Sequence, residues 1–225
     1  MNLRSLYRLA GVSIALQVIV SIWGLVQVGP SATVPIHWNV AGEPNGYAPA
    51  WIGFLIMPVI TVGLVALFAA IPRIEPRRAN LLKSGSAYVT VALATLALLL
   101  LMHLATVAAG VGYNVPIALV VGAGVGLLFV ALGNVMTTVR SNFMFGIRTP
   151  WTLTSDLAWD KTHRLIGRLW VVGGIGMFLA SLLGRTDLLV AVILVFAIGS
   201  MALAFIYSYR VWRTDPNRRS LGGEA

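Results

Sequence analysis

Residues 51–71 read WIGFLIMPVITVGLVALFAAI, an apolar run without a single charged side chain. A helix of about 20 such residues crosses about 30 Å of hydrocarbon, whereas a core helix of a soluble protein would show a polar face over that length. The run makes the bilayer the solvent to reason with, and five further segments repeat it: Leu9 to Val28, Ser86 to Ala109, Pro116 to Val139, Gly167 to Leu183 and Leu188 to Tyr209. The expected architecture is all-α, a polytopic membrane protein built as a six-transmembrane-helix bundle.

Composition excludes most alternatives. Of the 225 residues 58% are hydrophobic and 10% charged, against roughly 25% charged in soluble proteins. The absence of cysteine rules out a disulfide-stapled secreted domain. The net charge of +9 does not signal nucleic acid. The cations sit beside the apolar blocks, with no basic stripe carrying interleaved aromatics, so no direct nucleic-acid binding is expected. The first apolar segment is longer than the about 7 to 15 residues of a signal-peptide core, and is read as a retained span.

Counting Lys and Arg by connection gives two before the first span, none in 29–50, four in the next loop, none in 110–115, five from Arg140 to Arg168, one at Arg185 and four in the tail. Fifteen lie on one side and one on the other. Under the positive-inside rule this places both termini in the cytoplasm. Trp23, Trp51, Trp170 and Trp212 fall near span ends and read as interfacial anchors.

Within the spans no Asp, Glu, Lys or Arg lies well away from an end, which disfavours a proton-driven transporter. His103 reads as a neutral histidine bonded to a neighbouring helix. Asn134 has two readings, an interhelical hydrogen bond or part of a site at the inner face. Gly122 and Gly126, at GxxxG spacing, read as a close helix contact rather than a phosphate loop, and Gly173, Gly174 and Gly176 likewise.

Two loops are not ordinary connectors. The outer one, GPSATVPIHWNVAGEPNGYAPA over 29–50, sets His37, Trp38, Asn39, Gly42 and Glu43 among rigid turn residues, the composition of an ordered cap. His37 and Glu43 alone are too few ligands for zinc. No metal and no cofactor is expected.

The inner one, RSNFMFGIRTPWTLTSDLAWDKTHRLIGR over 140–168, is interrupted by Pro150 and restarts as a helix capped by Thr154 or Ser155, with Asp156 in its first turn. Trp159, His163, Ile166 and Trp170 then form one stripe, and Asp160 and Arg164 an i,i+4 pair on another face. One reading is an interfacial amphipathic helix on the cytoplasmic side. The other is a recognition site in which Arg140, Asn142, Arg148, Thr149, Lys161, His163 and Arg164 gather cationic and amide donors for an acidic protein segment, a lipid headgroup or an anion. An acid/base pair of Asp156 or Asp160 with His163, and nucleophiles at Ser141, Thr149, Thr152 or Thr162, can be drawn. No HExxH, GxSxG, CxxC or Walker spacing supports them, so no catalytic residue is assigned.

The same loops carry a resemblance. The stretch from Pro35 to Tyr47 is similar to the loop of an uncharacterised N-terminal domain. The stretch comprising Gly133-Asn134, Arg140 to Leu153 and Trp159 to Arg164 resembles the signature of the SdpI-type bacterial immunity proteins that this domain accompanies. The matching positions are His37, Trp38, Asn39, Gly42, Asn134, Arg140, Asn142, Gly146, Arg148, Thr149, Pro150, Trp151, Trp159, Thr162, His163 and Arg164.

The resemblance implies a protein of the bacterial cytoplasmic membrane that confers resistance to a secreted killing peptide, contacts that toxin through the outer loop, and recruits a cytoplasmic transcriptional repressor through the inner face. It divides the chain into an N-terminal two-span unit (1–72), a cytoplasmic loop with the third span (73–115), an SdpI-like region (116–212) and a tail (213–225). The alternative is a small-solute or lipid-handling transporter, and a membrane enzyme ranks below both.

Overall fold

The computed structural model describes residues 3–219. In chain order the helices are α1 (Arg4–Val28), α2 (Ala50–Ile74), the short α3 (Arg78–Lys83), α4 (Gly85–Val111), α5 (Ile117–Val135), the short α6 (Pro150–Thr154), α7 (Asp156–Leu182) and α8 (Thr186–Thr214). Six of them, all but α3 and α6, are long and apolar enough to cross a membrane, so the six-span reading holds. The ordered outer loop is an antiparallel hairpin of β1 (Thr33–Trp38) and β2 (Pro44–Pro49). The amphipathic inner segment is not a separate helix; it forms the first turns of α7 and continues into the fifth span. The part of the expected tail beyond residue 219 lies outside the described residues.

The alternating chain direction gives the bundle two unlike ends. One holds the hairpin and the α7–α8 turn; the other holds α3, α6 and the loop 139–149, and is termed the basic end. α1 packs on α4 and α2, α4 on α5, α5 on α7 and α7 on α8. α8 is the outlier, with only 11% of its apolar window buried, so most of its surface is left for lipid.

The α5–α7 contact is set by four glycines. A methyl group on Gly126 would lie 2.6 Å from the Gly174 carbonyl oxygen, and one on Gly133 2.5 Å from that of Gly167. Backbones approach this closely only without side chains between them, which is how helices associate where lipid removes the hydrophobic drive. The expected GxxxG pair is thereby split. Gly126 faces the α7 backbone, while Gly122 faces the Leu189 and Ser181 side chains.

The prolines of α2 impose a second requirement. Pro58 and Pro72 have no N–H, so the carbonyls of Phe54 and Phe68, four residues earlier, lose their helical donors. In a bilayer that deficit must be met from within the protein. Ser21 Oγ of α1 lies 2.6 Å from the Phe54 oxygen, and Tyr88 Oη of α4 donates to the Phe68 oxygen at 2.6 Å.

Ser21 belongs to a buried polar seam of α1, α2 and α4. His103 Nε2 lies 3.0 Å from the Gln17 carbonyl, which only accepts, so that nitrogen carries the proton. With Gln17 O served by His103, the single Ser21 proton is free for Phe54. Gln17 also accepts from Thr61 at 3.1 Å and donates to Ser13 at 3.3 Å. His103 is thus bonded to a neighbouring helix, as its position suggested.

Candidate partner-binding site

At the basic end the loop 139–149 is held from its centre outward. Asn142 is fully buried. Its amide nitrogen donates to the Arg140 and Phe145 carbonyls, both at 2.9 Å, and its oxygen accepts from the Met144 and Phe145 N–H groups at 3.0 and 2.8 Å. One amide thus satisfies four backbone groups, which an apolar residue there would strand.

The loop is also clamped by a residue that sequence reasoning missed. Glu75, at the end of α2 and only 3% exposed, accepts from the N–H groups of Arg77 (2.8 Å), Phe143 (3.1 Å) and Met144 (2.9 Å). Arg77 donates to Ser141 Oγ and to the Leu153 carbonyl, and its guanidinium lies 4.5 Å from the Phe143 ring centroid. Asn80 donates to the Ser141 carbonyl, and Ser84 Oγ accepts from Arg140 N–H. The available signal was one acid between prolines in an otherwise basic loop, Arg73-Ile-Glu75-Pro-Arg77-Arg78.

The other wall is α7. Trp159 is fully buried, donates from its ring to the Val139 carbonyl at 2.8 Å and stacks on His163 at 4.1 Å. His163 Nε2 accepts from Ile147 N–H at 3.0 Å, and its Nδ1 faces the Trp159 carbonyl at 2.8 Å. An N–H can only donate and a carbonyl only accept, so the imidazole is held as the neutral Nδ1–H tautomer. Gly146, with φ of 112°, lies against this pair; a side chain there would be strained and would strike the ring, 2.6 Å away.

Thr149 caps α6 in a capping box with Thr152, has Pro150 just inside the helix, and donates to Ser208 of α8. Trp151 packs on Phe205 and Tyr209 of α8. Ser155 caps α7 and donates to buried Asp215, and the Arg219 N–H reaches the Thr154 carbonyl. α6 is therefore fastened to the end of α8.

The eleven residues proposed for the inner face divide by burial. Asn142, Thr149, Trp159 and His163 are buried and hold the loop and α6 in place; Thr162 is buried with its hydroxyl unpartnered; Arg140, Arg148, Pro150 and Arg164 are exposed; Trp151 is half-buried against α8. Arg148 also donates to the Phe143 carbonyl. Asn134 is exposed near the end of α5, and its side chain makes no interhelical hydrogen bond. Asp160 and Arg164 are both exposed and no ion pair joins them, since water competes for charges on an open helix face. Trp170 packs edge-on against Phe129 at 5.3 Å instead of serving only as an anchor.

At the hairpin end Asn39 plays the part Asn142 plays at the other. Its side-chain oxygen accepts from the Ala41 and Glu43 N–H groups, and its amide donates to the Glu43 carboxylate at 3.1 Å. His37 Nδ1 lies 2.6 Å from Asn45 Oδ1. The two candidate metal donors are thus engaged with separate amides. Gly42, with φ of 82°, makes the turn, and Trp38 is half-buried.

Fold and site together define a multi-pass membrane protein with a structured loop at each end. Residues 138–209 match the SdpI/YfhL protein family and residues 13–62 a domain of unknown function, DUF1648. The chain is 27% identical over 183 residues to the Immunity protein SdpI of Bacillus subtilis (strain 168), covering 80% of this chain and 84% of that protein. The inner loop therefore lies in the segment similar to the SdpI/YfhL family and the outer loop in the segment similar to DUF1648. No solved structure matches.

Proposed function

We propose that this chain is a non-catalytic immunity protein of the bacterial cytoplasmic membrane, protecting the cell from a secreted membrane-active killing peptide. The observation that carries this reading is the similarity to an immunity protein along 80% of the chain, together with the family matches at 13–62 and 138–209 in which the two loops lie. In this reading both termini and the basic end face the cytoplasm, supported by the fifteen-to-one distribution of cations. The hairpin, with His37, Trp38, Asn39, Gly42 and Glu43, meets the toxin. Exposed Arg140, Arg148, Lys161 and Arg164 meet an acidic partner, for which a transcriptional repressor is the finer assignment. The absence of catalysis is supported by His163, both of whose ring nitrogens are engaged by backbone groups.

The test is survival. The chain is expressed in a Bacillus subtilis strain lacking its own immunity protein, and the cells are exposed to the killing peptide against which that protein protects. Protection that is kept in R148A and R164A cells while repressor recruitment is lost supports the two-ended reading; full sensitivity of cells with normal membrane levels of the protein refutes it. Since the chain has no cysteine, single cysteines at positions 40 and 150 report orientation, and labelling of both from one side overturns it.

A further inference from the structure

The hairpin is anchored chiefly at its base, and its turn touches α5, where a methyl on Gly42 would lie 3.4 Å from the Ala118 Cβ. Val34 is buried with Ala50, Phe54 and Val107, which ties its base to α2 and α4. Its distal half projects over α5 and α8. Asn39 braces its turn by accepting from the Ala41 and Glu43 N–H groups, and the overhang exposes apolar residues, with Val40 73% and Ile36 40% accessible. Beneath it lies a cleft of about 310 Å³ between Ile36, Trp38 and Val40 above and Val121, Leu189 and Ile193 below. Gly42, Ala118 and Leu189 also line a second cavity of about 260 Å³ that reaches the α7–α8 turn. The cleft is at the small end of the range of ligand-binding sites.

Charge selects the occupant. The one arginine at this end, Arg185, is held bidentately by Asp187 at 2.9 and 2.7 Å and offers no free cation. Glu43, at the tip of the overhang, is exposed and held only by the neutral Asn39 amide, so its charge is uncompensated. An apolar cleft with one carboxylate next to its lining residues Asn39 and Gly42 complements an amphipathic segment bearing Lys or Arg, the composition of peptides that lie in membrane interfaces.

We propose that the cleft beneath the hairpin overhang receives the apolar face of a cationic amphipathic peptide, with Glu43 meeting one of its cations. This rests on the immunity reading and names the surface that does the recognising. The cleft draws on both matched segments, the hairpin from the first and α8 from the second, so neither half alone forms it.

The experiment uses the full chain in phosphatidylcholine nanodiscs with a fluorophore on a single cysteine, V40C in the overhang or V26C at the same end of α1. The probe is an amphipathic leucine–lysine peptide carrying a quencher, compared with its leucine–glutamate counterpart. Saturable quenching at position 40 but not 26, about tenfold weaker for the glutamate peptide, is expected. E43Q should weaken it about three- to tenfold, and V190W, which fills the cleft from its lipid side, should abolish it. Equal quenching at both positions means bilayer partition, and insensitivity to both substitutions means another surface; either overturns the proposal. If cells are protected from the killing peptide and V190W leaves that protection intact, the cleft is wrong and the immunity reading stands. If the peptide binds as expected but no cell is protected, the cleft stands and that reading falls.

Discussion

Replacing Glu75 with glutamine should open the basic-end loop without unfolding the bundle. The carboxylate receives three N–H groups, from Arg77, Phe143 and Met144, in a site only 3% exposed. Glutamine keeps the shape, but its single oxygen cannot serve both sides of the clamp, and its NH₂ is turned against a donor. The loss of one charge-assisted bond to a buried N–H costs about 2–3 kcal/mol. If that cost falls on local opening of 140–149, the open population rises roughly 30- to 150-fold. Arg140 and Arg148 are exposed and flank the loop, so trypsin cleavage at these positions in nanodiscs reads the opening directly, provided reclosing outpaces cleavage. Asp would restore the charge but fall short of the loop, and should resemble glutamine. Cleavage rates within twofold of the unsubstituted protein would refute the claim that Glu75 holds the loop.

Three further sets of substitutions probe the packing of the bundle. Y88F strands the Phe68 carbonyl and should cost about 1–3 kcal/mol in detergent unfolding; in a P72A background, where a backbone N–H returns, the cost should largely vanish. G133A should separate α5 from α7 and cost about 1–3 kcal/mol, whereas G176A, whose methyl meets nothing nearer than Val192 at 3.8 Å, should be near neutral in the same measurement. S155A and D215A, which remove the two partners of one buried hydrogen bond, should show a coupling of about 1–2 kcal/mol in a double-mutant cycle; strict additivity would mean that the α8 end is not latched to α7.

Span number and the division of charge between the two ends were legible because both are one-dimensional. Apolar run length and the side of each cation need no partner to be read. The restart of α7 after Pro150, with its cap at Thr154 or Ser155, and the turn-rich outer loop were legible for a related reason, since caps and turns are local. The two special loops were recognisable by composition and by resemblance.

The roles within those loops were decided only in three dimensions. His163 and Asn142 look like donors for a partner when read along the chain, and in the structure they are spent on Ile147, Arg140 and Phe145. Glu75 lies more than sixty residues from two of the three N–H groups it binds, those of Phe143 and Met144, a distance across which no spacing rule operates. The partners of the α2 prolines lie on two other helices. Sequence thus settled which solvent the chain faces and where it crosses, because transfer from water to lipid is paid residue by residue. Which polar groups remain free for a partner was left to tertiary structure, because a buried hydrogen bond is a property of two distant segments brought together.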